Sequence, residues 1–382
     1  MNVAILMPMA TQRGGGELML RDLLAHSQDA PIQWTVIFFE KGPLVKEFSQ
    51  LGADTTVIQT GRLRHVHRYI RAVFKIASFV RSNDIDLVFS WSGKPHLYGS
   101  PTALLTDRPS AWYQLGCPRG RHLTWMDRLA TLFPAQCVFT LSMFGSEGQE
   151  SLWPHRPTRL VYPSANLDAF DAETLPSPEE ARSKLGLPND GPLIGIVGRL
   201  QRWKGIHVFI EALPHVLEVQ PEAHGVIVGG KHDLEPDYPE LLHDLILKHN
   251  LDDHITVAGF QENIPLWMQA MDVVVHASDH EPFGIVIVEA MALGKPVVAG
   301  ASGGPQEIIT HEENGLLAPY GDDETLAHCI LRYIDDPAWA QRLGEAARER
   351  AQDFSPRAYA KRFVDTLYDV VPNARQTNAT TP

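Results

Sequence analysis

The chain has 382 residues, with 33 Lys+Arg against 46 Asp+Glu, a formal charge of −13, and 44% hydrophobic and 21% charged residues. At about 150 residues per domain this predicts two or three domains with ordinary cores, and it excludes a peptide, a disulfide mini-fold and a disordered chain. The acidic balance argues against a nucleic-acid partner, and three scattered cysteines, Cys117, Cys137 and Cys329, build neither a disulfide framework nor a zinc knuckle.

The cysteine usage predicts a reducing compartment. The start MNVAILMPMA carries no basic n-region and passes into glycines at Gly14, so neither a signal peptide nor a membrane span is expected, and a cytoplasmic protein is. Charge is uneven: residues 1–170 hold 17 Lys+Arg and 13 Asp+Glu, net +4, whereas the remainder holds 16 and 33, net −17. The two halves answer to different partners or constraints.

Along the first half, short β-branched and aromatic runs predict strands at Val3–Met7, Trp34–Phe39, Thr56–Ile58, Leu87–Ser90, Ala111–Gln114, Val138–Leu141 and Arg159–Tyr162. The second half continues with Leu193–Val197, Gly225–Val228, Ile255–Ala258, Val273–Val275 and Val297–Ala299, and helical stretches such as His207–Val219 and Val286–Leu293 lie between. Strands alternating with helices mean parallel sheets covered on both faces, an α/β class. The Pro-rich acidic segment from Pro163 to Pro178 separates two such units and reads as a linker. Doubly wound sheets bind ligands at the carboxyl ends of their strands, so two facing each other across a cleft accommodate a nucleotide and a second substrate.

Three features carry chemistry. Gly14-Gly15-Gly16-Glu17 follows the first strand and opens a helix, where backbone N–H groups without a Cβ in the way approach an anion or a sugar; it reads equally as a tight turn, and it fits neither the dinucleotide fingerprint nor the Walker A pattern. Arg199 and Lys204, five apart just past a strand, place a rigid fork and a flexible ammonium over one mouth, an arrangement suited to a diphosphate, although most such pairs are solvated loop charges. The block Glu281-Pro282-Phe283-Gly284 … Glu289-Ala290-Met291-Ala292 … Gly303-Gly304 is the most specific. Its two glutamates, one in a loop and one on the following helix, can accept hydrogen bonds from two sets of sugar hydroxyls, and Gly284 opens a helix N-terminus that favours a phosphate.

With GRLQRWKG, SDHEPFGIVIVEAMALGKPVVAGASGGPQEII and NGLLAPYGDDETLA in view, the chain resembles the retaining nucleotide-sugar glycosyltransferases of family 4, glycosyl transferases group 1. The resemblance implies a GT-B fold: two Rossmann-like doubly wound parallel-sheet domains, an acceptor-binding one at 1–165, a linker at 166–178, a donor-binding one at 179–355, a helix at about 356–371 returning to the first, and a flexible tail at 372–382. It implies transfer from a nucleotide-diphosphate sugar to a glycan, lipid-linked or small-molecule acceptor in cell-envelope or polysaccharide biosynthesis, without metal or other cofactor. Arg199 and Lys204 would neutralise the departing diphosphate, Glu281 would bind the transferred sugar and Glu289 the ribose. The amides of Phe283, Gly284 and Ile285 would hold sugar and phosphate, Gly15 and Gly16 would complete the donor site, and Gln261 would contact the base.

One position departs from the pattern. Relatives often carry a His after the strand Ala111–Gln114, where this chain has Leu115; Gln114 or His122 is the substitute, and with Glu17 these form the expected acceptor side. A catalytically weak sugar-nucleotide binding protein and a nucleotide-sugar epimerase therefore remain alternatives, whereas a glycosidase has no use for a diphosphate clamp. His276 and His280 have metal-like spacing but no third ligand, and Asp84-Ile85-Asp86 reads as a strand start. The basic stretch at 62–81, with Arg62, Arg64, Arg68, Arg71, Lys75 and Arg81 among apolar residues, reads equally as a packed amphipathic helix and as a peripheral contact with the inner membrane face, suiting a lipid-linked acceptor.

Overall fold

The computed structural model describes residues 1–11, 14–61, 63–120 and 123–371. His122, Arg62 and the tail at 372–382, each singled out by the sequence, lie outside the described residues. The chain divides into two compact units, Met1–Ser164 together with the segment from Pro356, and Ala165–Ser355.

The first unit runs β1 (Asn2–Met7), α1 (Gly15–His26), β2 (Gln33–Phe38), α2 (Pro43–Gln50), β3 (Asp54–Val57), α3 (Val66–Ser82), β4 (Leu87–Ser90), α4 (Gly93–Thr106), β5 (Ser110–Gln114), α5 (Trp125–Leu132), β6 (Cys137–Thr140), α6 (Met143–Glu150) and β7 (Thr158–Leu160). Among the described residues its sheet is seven-stranded, in the order β3-β2-β1-β4-β5-β6-β7, and every pairing is parallel. The central strands are buried along almost their whole length and mostly apolar because both faces are covered by helices. Asp86 starts β4 by accepting a hydrogen bond from the Asn2 backbone N–H at 2.8 Å, so the Asp84/Asp86 pair is a strand start.

The second unit opens with a 3-10 turn at Leu167–Phe170, followed by α7 (Pro178–Leu185), β8 (Leu193–Val197), α8 (Ile206–Leu217), β9 (His224–Val228), α9 (Tyr238–Lys248), β10 (Ile255–Gly259), α10 (Ile264–Ala270), β11 (Val273–His276), α11 (Ile285–Ala292), β12 (Val297–Gly300), α12 (Pro305–Ile308), β13 (Leu316–Ala318), α13 (Asp323–Asp335) and α14 (Pro337–Ala351). Its sheet is parallel, in the order β10-β9-β8-β11-β12-β13. The Pro-rich segment is therefore more than a connector: Leu167 and Phe170 are buried in this unit. β13 has no counterpart among the sequence-based strands, because only three residues, set between Gly315 and Pro319, pair with β12.

The last helix, α15 (Pro356–Val370), is built into the first unit. Its Phe363 ring lies 5.1 Å from Phe89, 5.2 Å from Phe139 and 5.7 Å from Trp91, so the aromatic core over β4 and β6 contains a residue from the far end of the chain. Burial of one such ring against tilted neighbours is worth about 3 kcal/mol. In both units the strands' carboxyl ends carry the chemistry-bearing loops.

Candidate functional site

In the second unit, the ends of three strands, β8, β11 and β12, assemble one polar cluster. After β8 the chain makes a 3-10 turn at Arg202–Lys204 that ends on Gly205, whose φ is +68°. A Cβ on Gly205 would lie 1.9 Å from the Ala277 carbonyl, so only glycine lets this turn press against the end of β11. The Trp203 carbonyl accepts from the Asp279 N–H at 2.7 Å, which fixes that approach. Lys204 is thereby aimed across the strand ends, its Nζ 2.6 Å from Oε2 of Glu281 and 4.1 Å from the Trp203 ring centre.

Glu281 is buried in the loop after β11, where its backbone bridges to Gly303 and accepts from the Gly304 N–H. His276 Nε2 is 3.1 Å from the same Glu281 oxygen, and Ser278 Oγ is 3.2 Å from that Nε2. Burial works to raise the Glu281 pKa, but the Lys204 charge and the His276 hydrogen bond prevail and hold the carboxyl far below its ordinary range. His280 turns instead to Asp279, so the two histidines with metal-like spacing do not converge.

Gly284, at φ +112°, turns the chain into α11, and residue 284 accepts the Ile287 N–H as the first helical bond. Phe283 is buried with its ring 5.3 Å from Phe354, and the N–H groups of Gly284 and Ile285 lie in the unsatisfied first turn. Glu289, one turn further along α11, has its pKa pushed up to about 7 by burial. Arg199, two residues past β8, is exposed at the same strand end.

Beside this cluster, a hollow of about 500 Å³ opens at the ends of β9 and β10, lined by Leu200, Ile227, Gly229, Gly230, Lys231 and Phe260. Phe260 leaves 75% of its surface exposed at the rim. Gln261 is adjacent, with its Nε2 donating to the Ala258 carbonyl at 2.8 Å. The hollow and Phe260 were not read from the sequence, although VGGK directly after a strand is the same small-residue signal as the loop at Gly14.

In the first unit, Gly14 is the N-cap of α1, and Gly15 and Gly16 are its first two residues. Glu17 is buried and receives the Gly14 N–H on its Oε2 at 2.8 Å, capping the helix. The Gly16 carbonyl accepts from the Trp91 indole at 2.8 Å, and a Cβ on Gly16 would stand 3.1 Å from Leu115. Gln114 is buried and committed: its Nε2 donates to Asp127 Oδ1 at 2.9 Å and its Oε1 accepts the Gly116 N–H. It therefore braces α5 and its own loop, and the position closest to Gly16 is occupied by the apolar Leu115.

α3 packs Ala72, Val73, Ile76, Ala77 and Val80 inward and leaves Val66, Ile70 and Phe74 exposed in steps of four. Among the described residues no helix is long and apolar enough to cross a membrane.

Two parallel-sheet α/β units with a cation–carboxylate cluster at the strands' carboxyl ends define the GT-B class of fold. Residues 177–350 match the family model described as Glycosyl transferases group 1, and this segment is a domain of that family. The chain is 32% identical over 217 residues to a D-inositol 3-phosphate glycosyltransferase of Corynebacterium urealyticum, covering 56% of this chain and 51% of that one. It is 33% identical over 187 residues to the lipopolysaccharide core biosynthesis glycosyltransferase LpsE of Rhizobium meliloti, covering 49% and 52%. The chain thus spans about half the length of the curated relatives it matches. Its fold is similar to the crystal structure of Anabaena HepE in complex with UDP-glucose, with a TM-score of 0.81, 27% identity, and coverage of 96% of this chain and 99% of that one.

Proposed function

We propose that the protein is a retaining glycosyltransferase that takes a sugar from a nucleotide-diphosphate donor and uses no metal. The observation that carries this reading is the pair of half-buried Lys204 and buried Glu281 at the mouth shared with Arg199 and the hollow at Phe260. Similarity to a structure holding UDP-glucose supports it. The base lies in the hollow against Phe260, the ribose hydroxyls donate to Glu289, and the diphosphate meets Arg199, Lys204 and the amides of Gly284 and Ile285.

As the bond between anomeric carbon and phosphate oxygen breaks, its electron pair passes to the diphosphate, where Arg199 and Lys204 stabilise the growing charge. The acceptor hydroxyl adds on the face the diphosphate leaves and gives its proton to the leaving oxygen. Glu281, already ionised, holds the hydroxyls of the transferred sugar. Met1–Ser164 is the acceptor side, and the acceptor is a glycan, a lipid-linked molecule or a small molecule of envelope or polysaccharide synthesis. The exposed apolar stripe on α3, flanked by arginines, favours a peripheral contact at the cytoplasmic membrane face.

The test is a screen of UDP-, GDP- and ADP-sugars by thermal shift, followed by proton NMR of the transfer product. One donor class raises the melting temperature by mass action, and its anomeric configuration survives in the product. An inverted anomer overturns the retaining assignment. Leu115 against Gly16 favours one other reading, a sugar-nucleotide binding protein, which is selected by tight donor binding without turnover or donor hydrolysis.

A further inference from the structure

The first unit contains a cavity of about 670 Å³ whose lining includes Lys41, Arg68, Arg71 and Lys75 and, among the described residues, no carboxylate. It opens where β3 ends: Val57, Ile58 and Ala72 give it an apolar floor, and the four cations line its sides. None of the four has an ion-pair partner among the described residues. α3 carries no Asp or Glu anywhere along its 17 residues, and it spaces Arg68, Arg71 and Lys75 at intervals of three and four, so the three positive charges share one face. Like charges at that spacing oppose helix formation, by a few tenths of a kcal/mol per pair. Such a concentration of unpaired cations in a concave site is matched by an anion.

The place of this cavity ties it to the proposed transfer. In the sheet order β3-β2-β1, the cavity at the end of β3 stands two strands, about 10 Å, from the glycine loop after β1. The loop carrying Lys41 is fastened to the loop after β1: Leu44 N–H donates to the Ala10 carbonyl at 3.0 Å, and Ala10 N–H donates to Glu40 at 3.3 Å. Lys41 is thus positioned from the same loop that leads to Gly14.

We propose that this cavity binds a phosphate monoester or diester carried by the acceptor, so that the acceptor's anionic end is anchored here while its reacting hydroxyl lies along the strand ends near Gly16. This rests on the reading of the first unit as the acceptor side. The planar guanidinium groups of Arg68 and Arg71 take two phosphate oxygens each in fork geometry, and the apolar floor accepts the adjoining ring or glycerol carbons. Two sources share this chemistry, a soluble sugar phosphate and a phospholipid headgroup.

The experiment measures binding to the full chain, by calorimetry, of glucose 6-phosphate, glycerol 3-phosphate and glucose, and by co-sedimentation of phosphatidylcholine vesicles with and without phosphatidic acid. At least one phosphorylated probe binds at least tenfold more tightly than its uncharged counterpart, and the preference declines as salt rises. Soluble probes point to a sugar phosphate and vesicles alone to a headgroup; either outcome supports the site. The double variant Arg68→Gln/Arg71→Gln, at exposed positions, removes the preference while UDP-sugar binding in the other unit is unchanged. Equal binding of charged and uncharged probes, or a preference that survives the double variant, overturns the proposal. Loss of all sugar-nucleotide binding in the unaltered chain would instead defeat the glycosyltransferase reading and leave the phosphate measurement standing.

Discussion

At the scale of single residues, the Lys204–Glu281 ion pair has a structural contribution that can be separated from the chemistry proposed for it. Removing Lys204 leaves the buried Glu281 carboxylate with the His276 contact but without its lysine counter-charge, which costs roughly 3 kcal/mol, so Lys204→Ala lowers the melting temperature by several degrees. Glu281→Gln added in that background restores much of the stability, because a neutral amide needs no counter-charge, but it restores no transfer. Differential scanning calorimetry and a donor-turnover assay check the two halves; a Lys204→Ala chain of unchanged stability removes the pair's structural role. Glu289 gives a pH dependence. Its pKa, ordinarily near 4.5, is raised to about 7 in the folded chain, so its contribution to stability is complete below 4.5 and is lost as pH rises through 7. The loss has a ceiling of roughly 3 kcal/mol. Glu289→Gln removes that slope from a series of melting curves between pH 4.5 and 8. If Glu289 takes the ribose as proposed, UDP-glucose binds the unaltered chain more tightly as pH rises through 7, because the ribose hydroxyls then donate to the ionised form, and the variant's affinity is flat. That Arg199, Lys204, Glu281 and Glu289 are candidate site residues could be read in the sequence from residue type and spacing. The ion pair could not be: its partners are 77 residues apart and meet only because Gly205 lets one loop press on the next.

At the scale of elements, the strands at Leu87–Ser90 and Leu193–Val197 were legible to the residue, since each is a short run rich in apolar and β-branched or aromatic residues, whereas the helix Pro356–Val370, expected at about 356–371, was implied by the resemblance rather than by local pattern. β3 begins at Asp54 rather than Thr56 and β7 at Thr158, because edge strands take their bounds from the neighbouring strand's register, which local composition does not encode. α3 shows the same limit in another form. Its period places Val73, Ile76 and Val80 inward, but Phe74 and Ile70, equally apolar, face solvent at 59% and 47% exposure. That outer stripe separates the membrane reading from phosphate binding in the neighbouring cavity. Ile70→Ser/Phe74→Ser reduces co-sedimentation with anionic vesicles several-fold and leaves affinity for soluble phosphorylated probes unchanged; full retention on vesicles removes the stripe from the membrane contact.

At the scale of the whole molecule, the −13 charge conceals a basic cavity in a unit of net positive sequence and a cation–carboxylate cluster in a strongly acidic one. Bulk charge opposes an anionic ligand, whereas the placement of Lys41, Arg68, Arg71, Arg199 and Lys204 favours one in each unit. The division also makes the first unit discontinuous. Its core needs Phe363, Tyr359 and Leu367 from α15, all fully buried, and these arrive only after the second unit has been completed. The second unit, residues 165–355, contains its own sheet, its hollow and the Lys204–Glu281 cluster. A chain ending at Ser355 therefore exposes the aromatic core around Phe89 and Trp91, and losing the buried Phe363 alone costs about 3 kcal/mol. The expected result in calorimetry is a lost or strongly lowered transition for the first unit, with the donor-dependent transition of the second retained. Phosphorylated-probe binding disappears and UDP-sugar binding persists. If both ligands bind the truncated chain as they bind the full one, α15 is dispensable to the first unit; if both are lost together, the second unit depends on the first in a way its own core does not require.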